Sequence, residues 1–288
     1  MTAPSISILI LTKNEEQDLP AALASVAGLN GEQPDDIHVF DSQSTDRTQE
    51  IARAAGAHVT ERAFDNWAAH QNWGLAHISF RYPWVLYIDA DEVVTPELRA
   101  SILAAVQHPG ETVAFRVQRR DFFEGTWLKH VQTSPFYLRL FRPDKMRYER
   151  LVNPLSIPDG PVGQVSGFLD HFPFSKGVGY WLDRHNKYAT FEAQQIVANR
   201  HTHAAAGGAP FSPTAAFTER DFHKRRYHQK ELFYRLPARP LIKFLILYIA
   251  KRGFLDGRAG LRYSILQSIY EYMIVLKTDE LAGIRVSS

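Results

Sequence analysis

The chain has 288 residues and a formal net charge of +2, and its hydrophobic and charged fractions, 45% and 22%, are those of an ordinary folded protein. The absence of cysteine excludes disulfides, thiolate metal sites and cysteine nucleophiles, and it fits a reducing compartment. No apolar run approaches the ~20 residues of a membrane-spanning helix. The first apolar run is also too short, and lacks the basic lead, for a signal peptide.

Apolar, β-prone runs predict strands, and three of them are residues 5–11, 37–40 and 84–88. Polar residues follow each run: 12–16, 41–46 and 89–92. Helical spacing of Leu19, Leu23 and Val26, and again of Ile51 and Ala55, predicts helices between the strands. Strands that alternate with helices imply an α/β fold with a mostly parallel sheet.

The run Asp89-Ala90-Asp91-Glu92 directly follows the third predicted strand. Two carboxylates at the end of a buried strand cost free energy to bury unless a cation or a ligand binds them. The carboxyl ends of parallel strands are where α/β sheets bind ligands. Mg²⁺ and Mn²⁺ take oxygen ligands, often one or two carboxylates together with substrate phosphates. The pattern therefore predicts a metal–phosphate site, with a capped surface turn as the alternative.

Three motifs in this order resemble the inverting family 2 glycosyltransferases of the GT-A fold: residues 12–16, 41–48 and 89–92. The branch most resembled is the one that builds bacterial lipopolysaccharide cores and related surface polysaccharides. Residues 253–257, Gly-Phe-Leu-Asp-Gly, also resemble that branch, so the likeness covers most of the chain. It implies transfer of a sugar, with inversion, from a nucleotide-diphosphate donor to a hydroxyl of a lipid-linked glycan.

The resemblance also implies the site residues. Those that would bind the donor are Thr12, Asn14, Glu15, Asp41, Ser44, Asn72 and Asp89. Asp91 and His171 would hold Mn²⁺ or Mg²⁺. The ordinary alternatives are a surface turn for Glu15, helix capping for Asp41 and a structural role for His171.

An inverting transfer needs a carboxylate that deprotonates the acceptor hydroxyl. Many relatives carry a His-Glu pair after an Arg-Leu-Phe-Arg strand; here residues 139–142 match that strand, but Asn153-Pro154 stands near the place of the pair. Glu149 is the nearest carboxylate and the first candidate for the base, and Asp170 is the second. The alternative role for Glu149 is an exposed salt bridge with Arg147 or Arg150, which would contribute little to stability.

The C-terminal part is basic: residues 220–262 hold 12 Lys and Arg against 3 Asp and Glu. They include the apolar run 241–249, and a second apolar stretch spans 263–276. We expect a catalytic domain over 1–210 and a basic, amphipathic helical extension over 211–288. The extension would bind an anionic membrane surface, and no nucleic acid, at the inner face of the cytoplasmic membrane. Helices packed against the catalytic domain are the alternative.

Two other functional classes remain open. Asp89 to Val93 fits the Asp-x-Asp-x-Val pattern of haloacid-dehalogenase-type phosphohydrolases, but that fold places the pair after its first strand. The second class is a scaffold at the membrane surface without catalytic activity. An assay of donor hydrolysis separates that scaffold from an enzyme.

Overall fold

The computed structural model describes residues 5–149, 154–205, 211–220 and 222–283, with the backbone alone at 199–205, 222–224, 226, 227 and 230. The chain forms two compact units. The sheet unit comprises Met1–Phe122 and Ser134–Ser175; the helical unit comprises Phe123–Thr133 and Lys176–Ser288. The helical unit thus begins before the predicted boundary at residue 210 and includes a segment from the middle of the chain.

The strands of the chain are β1 Ile6–Thr12, β2 Asp36–Asp41, β3 His58–Glu61, β4 Trp84–Asp89, β5 Glu92–Val94, β6 Ala114–Phe123, β7 Thr126–Trp127, β8 Phe136–Phe141, β9 Met146–Glu149, β10 Leu155–Pro158 and β11 Val162–His171. The main sheet has the order β3-β2-β1-β4-β8-β6-β11-β5, and β9 pairs with β10 separately. Strands β1 to β4 are mutually parallel where they pair, β8 is antiparallel to both neighbours, and β6 is parallel to β11. The predicted α/β class with a mostly parallel sheet is confirmed.

The helices of the sheet unit are α1 Leu19–Val26, α2 Thr48–Ala54, α3 Trp67–His77 and α4 Pro96–Gln107. Two of them begin with a side-chain cap: Asn66 accepts the N–H of Ala69, and Thr95 accepts that of Leu98. Pro96 occupies the first turn of α4, where its missing N–H costs no intrahelical bond. These signals position the helices between the strands.

Side-chain alternation along β1 divides the core into two layers. Ile6, Ile8 and Ile10 pack on one face of the sheet with α1 and α4, whereas Leu9 packs on the opposite face with Phe40 and Phe141. Because both faces are covered, the central strands are apolar almost throughout, as expected for parallel strands.

Strand register brings the polar ends together. Thr12 lies opposite Asp41 across β1 and β2, and Leu11 lies opposite Asp89 across β1 and β4. Farther along the sheet, His171 of β11 lies opposite Asp121 of β6. The carboxyl ends of these strands form one edge of the sheet.

The helical unit contains α5 Gly177–Ala205, α6 Ala215–Thr218, α7 Phe222–Arg235, α8 Arg239–Leu245 and α9 Gly257–Leu281. A π-helical turn, Ile246–Ala250, continues α8, and a 3-10 turn, Gly253–Asp256, precedes α9. Ala189 and Ile196 of α5 pack against Ile274 of α9. A buried ion pair joins Arg239 to Glu271. Among the described helices, none is both long and apolar enough to cross a membrane.

Candidate active site

The loops that follow β1 and β2 are joined by hydrogen bonds. The Asn14 amide oxygen accepts the Thr45 N–H at 2.8 Å, and the Asn14 N–H donates to Ser44 Oγ at 2.8 Å. The Glu15 N–H donates to Thr48 Oγ1 at 2.7 Å. Asn14 adopts a positive φ of 55°, a conformation that asparagine tolerates better than most residues. The structure therefore brings most of the predicted donor-binding residues into one cluster.

Asp41 is fully buried at the centre of this cluster. Its Oδ1 accepts the hydroxyls of Thr12 at 2.7 Å and Ser44 at 2.5 Å; its Oδ2 accepts the Ser44 N–H at 2.8 Å and Gln49 Nε2 at 2.9 Å. Burial opposes ionisation, but the Ser44, Thr12 and Gln49 hydrogen bonds outweigh it and lower the pKa of Asp41. Asp41 is thus an ionised residue that shapes the loop, and its contact with a donor stays a prediction.

The amide groups of α3 make specific contacts within the sheet unit. Asn72 donates to the Tyr148 carbonyl and accepts the Tyr148 N–H, both at 2.8 Å, so its amide holds β9. Gln71 donates to the Tyr87 hydroxyl at 3.3 Å, and that hydroxyl donates to Asp89 Oδ1 at 2.7 Å. Of these two amides, Gln71 is the one linked to the Asp89 carboxylate, through the Tyr87 hydroxyl.

Asp89 and Glu92 share one buried cation. Arg139 Nη2 donates to Asp89 Oδ2 at 2.6 Å and to Glu92 Oε1 at 2.7 Å. The second Glu92 oxygen accepts the Asp89 N–H at 2.9 Å. Glu92 has no solvent exposure, and this burial raises the pKa of Glu92 to about 7 against the opposing effect of Arg139. These contacts hold Asp89 in one orientation, with 34% of its side chain exposed to solvent.

Asp91 and His171 meet at the same edge. His171 Nε2 lies 3.3 Å from Asp91 Oδ2, and its Nδ1 pairs with the buried carboxylate of Asp121. Arg119 Nε lies 3.1 Å from Asp121 Oδ1, and Arg119 Nη1 lies 3.7 Å from Glu92 Oε1. Burial lowers the pKa of His171, but hydrogen bonds to Asp121 and Asp91 outweigh it and raise that pKa to about 9.

These side chains form one continuous chain of contacts, Asp89–Arg139–Glu92–Arg119–Asp121–His171–Asp91. When all four carboxylates are ionised and His171 is protonated, as its raised pKa implies at neutral pH, four negative charges face three positive ones and the net charge is −1. Within the described ranges, no three His, Asp or Glu residues are arranged as a ready metal cage. Asp91 and His171 remain the two candidate ligands, and substrate phosphates and water commonly complete the coordination of Mg²⁺.

The two candidate bases lie elsewhere on their strands. Glu149 shares the exposed face of β9 with Arg147, whose Nε lies 3.3 Å away, while Tyr148 points into the core. Asp170 accepts two hydrogen bonds from Arg120, and strand alternation puts it on the opposite face of β11 from His171. The structure does not show either carboxylate in contact with Asp89 or Asp91. Asn153, near the place of the family's His-Glu pair, lies outside the described residues.

Sequence reasoning missed several members of this site. Arg119 and Asp121 alternate along β6, Arg139 lies on β8, and Tyr87 lies on β4. The signal that could have revealed them is charged residues on strands that are otherwise apolar, since buried charges need partners. The partners themselves come from strands distant in sequence, so spacing alone could not pair them.

Comparison with known proteins identifies the family. Residues 7–172 match the model of glycosyl transferase family 2, which covers more than half of the chain. The chain belongs to glycosyl transferase family 2. The resemblance inferred from the three motifs is thereby confirmed, and the GT-A fold class with it.

Curated relatives of this glycosyltransferase extend over nearly its full length. The lipopolysaccharide core biosynthesis glycosyltransferase LpsC of Rhizobium meliloti is 26% identical, covering 94% of this chain and 91% of LpsC. An uncharacterized glycosyltransferase of Rickettsia typhi is 24% identical, covering 96% and 87%. The solved structure of S. aureus TarS 1-349 aligns over 98% of this chain and 93% of that chain, at 12% identity and a TM-score of 0.42.

Proposed function

We propose that this glycosyltransferase moves a sugar, with inversion, from a nucleotide-diphosphate donor to a hydroxyl of a lipid-linked glycan of the lipopolysaccharide-core type, using a divalent cation. The observation that carries the proposal is the partly buried cluster of four carboxylates and two guanidinium groups at the carboxyl edge of the sheet. A phosphohydrolase or a scaffold would not account for membership in this family.

The residues present fit Mn²⁺ or Mg²⁺. Asp91 and His171 would hold the ion, and their 3.3 Å separation is close to the ~3.0 Å expected for neighbouring ligands about 2.1 Å from an octahedral ion. Asp121 holds His171 through Nδ1, the usual arrangement of a carboxylate behind a metal-binding histidine. When bound, the cation supplies stabilisation of the diphosphate leaving group.

The remaining donor contacts are assigned to the loops after β1 and β2. Thr12, Asn14, Glu15, Asp41 and Ser44 would form the nucleotide pocket, because their loops converge at the same sheet edge as Asp89. Asp89 would receive the ribose, since Arg139 and Tyr87 already hold its carboxylate in one orientation. Asn72 would support this pocket through β9.

For the base we retain Glu149 first and Asp170 second. The exposed pair between Glu149 and Arg147 separates at little energetic cost, so Glu149 could turn toward an acceptor hydroxyl. Asp170 would have to give up two hydrogen bonds from Arg120. Either carboxylate would take the proton of the acceptor hydroxyl as that oxygen attacks the sugar carbon opposite the departing diphosphate.

A lipid-linked acceptor requires access to a membrane surface. The helical unit exposes Leu241, Leu245 and Ile249, which share one face at intervals of four residues, together with Phe254 and Leu255. The exposed cations nearby in sequence are Lys251, Arg252 and Arg258. Apolar side chains flanked by cations suit the headgroup region of an anionic leaflet. We propose that the protein works at the inner face of the cytoplasmic membrane.

Calorimetric titration of nucleoside diphosphates, with and without Mn²⁺, tests the donor and the cation together. We expect one nucleotide to bind at least about tenfold more tightly in Mn²⁺, since a bound cation pairs with the diphosphate. The anomeric configuration of the product, read by NMR, tests inversion. Nucleotide binding that is indifferent to Mn²⁺ and Mg²⁺ would reject the metal, and a retained configuration would reject inversion.

A further inference from the structure

Residues 123–133, here called the connecting segment, belong to the helical unit although they join two strands of the sheet. The segment begins just after Asp121, at the carboxyl end of β6, and leads to β8, which carries Arg139. Three of its apolar side chains, Phe123, Leu128 and Val131, are buried. The connecting segment is therefore anchored by buried side chains.

A single carboxylate holds the second half of the segment. Asp256 Oδ2 accepts the N–H of His130 at 2.9 Å and that of Val131 at 2.7 Å. Its Oδ1 lies 2.6 Å from His130 Nδ1. Asp256 is buried, so these donors replace the water that an exposed carboxylate would bind. It is the aspartate of the Gly-Phe-Leu-Asp-Gly run singled out in the sequence.

The residues around Asp256 fit the segment closely. A Cβ on Gly253 would lie 2.7 Å from the Leu247 carbonyl oxygen and 3.1 Å from Val131 Cβ, so only glycine permits this approach. Arg262 pairs with Glu124, and the Tyr263 hydroxyl donates to Gln132. Residues 253–263 thus contact the segment near both of its ends.

The segment also presents polar and aromatic groups to solvent. Lys129 is exposed, and its Nζ lies 5.5 Å from the centroid of the half-buried Trp127 ring. An aromatic ring with an adjacent ammonium group provides an apolar surface and a charge for an anionic sugar. Ligand sites in α/β sheets lie beyond the carboxyl ends of the strands, which is where this segment begins.

Resting on the proposed transferase function, we propose that Asp256 is a positioning residue that holds the connecting segment as an acceptor-binding loop. Trp127 and Lys129 on that loop would bind a phosphate- or carboxylate-bearing sugar of the acceptor glycan. The Gly-Phe-Leu-Asp-Gly run of the helical unit would then support acceptor binding by holding this loop in place.

The test compares Asp256→Asn with Glu280→Gln, a neutralisation of an exposed carboxylate on α9. Hydrogen exchange should become at least about tenfold faster at the His130 and Val131 amides in Asp256→Asn, because their acceptor loses its charge. Donor turnover is measured with water and with a lipopolysaccharide-core glycolipid extract as acceptors. Transfer to the extract should fall at least about tenfold in kcat/KM, while hydrolysis and nucleotide affinity stay within about twofold. Glu280→Gln should change none of these.

Lys129→Ala provides a second variant whose fold is not at risk, because the side chain is exposed. It should raise the KM for the extract and leave both hydrolysis and hydrogen exchange unchanged. If Asp256→Asn does not fold, the KM of Lys129→Ala for the extract decides whether the connecting segment binds the acceptor. Equal loss of hydrolysis and transfer, or wild-type transfer in both variants, would overturn the assignment. A wild-type protein inactive with every donor would instead overturn the proposed transferase function.

Discussion

At the scale of single residues, each charge in the site is set by its neighbours. Asp91 differs from Asp89 in one respect that matters for a cation. Asp89 is held by Arg139 and Tyr87, whereas Asp91 faces His171 across 3.3 Å. An imidazole that gives up its proton can ligate a metal, whereas the guanidinium group that holds Asp89 cannot.

Asp91→Asn should therefore weaken Mn²⁺ affinity and abolish metal-dependent transfer while the fold is retained. Loss of the charged ligand removes leaving-group stabilisation worth several kcal/mol. Calorimetric titration of Mn²⁺ in the presence of nucleoside diphosphate measures the effect, with a circular dichroism melt as the control for folding. Full activity of a folded Asp91→Asn protein would reject the metal site.

Glu149→Gln tests the catalytic base. We expect kcat to fall by about 10²–10⁴-fold, the usual contribution of a general base, with nucleotide affinity unchanged. Arg147→Met is the matched control, because it breaks the same exposed pair without removing the carboxylate. Activity near wild type in Glu149→Gln would transfer the role to Asp170, and Asp170→Asn would be measured next.

His70 makes stability depend on pH. Its ring is fully buried against Phe40, and burial, aided by Arg62, lowers its pKa from 6.5 to about 4. Above pH 6.5 both the folded and unfolded states are neutral there, so the group has no effect. As pH falls from 6.5 toward 4, only the unfolded state gains the proton, and stability decreases.

Between pH 7.5 and pH 5, His70 should therefore lower the free energy of unfolding by about 2 kcal/mol. The figure follows because each pKa unit of difference between the folded and unfolded states corresponds to about 1.36 kcal/mol. Urea titrations at these two pH values measure it. His70→Asn should show a smaller drop, although its stability at pH 7.5 will also be lower. An identical pH dependence in both proteins would contradict this account.

At the scale of elements, strand β8 supplies the cation that permits two carboxylates at the end of β4 and the start of β5. Arg139→Met should leave Asp89 and Glu92 without their shared partner and destabilise the protein by about 3–5 kcal/mol, the usual cost of breaking a buried ion pair. Arg147→Met, at an exposed pair, should cost less than about 1 kcal/mol. Chemical denaturation compares the two, and equal losses would contradict the assignment.

The close contact between β11 and α4 depends on one glycine. Gly167 has a φ of +85°, and a Cβ there would lie 2.4 Å from the Leu98 backbone nitrogen. Gly56 has a similar φ of +79° but no atom within 4 Å of its Cβ position. Gly56→Ala therefore measures the conformational strain alone.

We expect Gly56→Ala to cost about 1–2 kcal/mol and Gly167→Ala at least about 3 kcal/mol, because the second change adds a backbone clash to the strain. Thermal and urea unfolding of both variants measure the difference. Similar losses would mean that α4 moves away from β11 at little cost.

At the scale of the whole molecule, the sheet unit carries the carboxylate cluster and the helical unit carries the exposed apolar and basic surface. The protein should sediment with vesicles that contain anionic lipid, less so with neutral vesicles, and salt should weaken the binding. Charge reversal at Lys251 and Arg258 should reduce binding, whereas reversal at the exposed Arg116 of the sheet unit should not. Absence of binding to both kinds of vesicle would reject the membrane surface.

The sequence by itself determined the order of the first strands, the helices between them and the three polar runs at their carboxyl ends. Those features are local: alternation along a strand, helical spacing and caps such as Thr95 act over a few residues. Because carboxyl ends of parallel strands share an edge, the sequence also predicted that Asp41, Asp89 and Asp91 lie at one site.

Only the tertiary structure decided which charges meet. Arg139 reaches Asp89 and Glu92 because β8 lies beside β4, and Asp121 reaches His171 because β6 lies beside β11 in register. Strand order and register depend on the packing of the whole core and are not written in local spacing. Asn72 shows the same limit: its amide hydrogen-bonds to Tyr148, a residue far along the chain whose position the sequence could not reveal, and its contact with a donor stays a prediction.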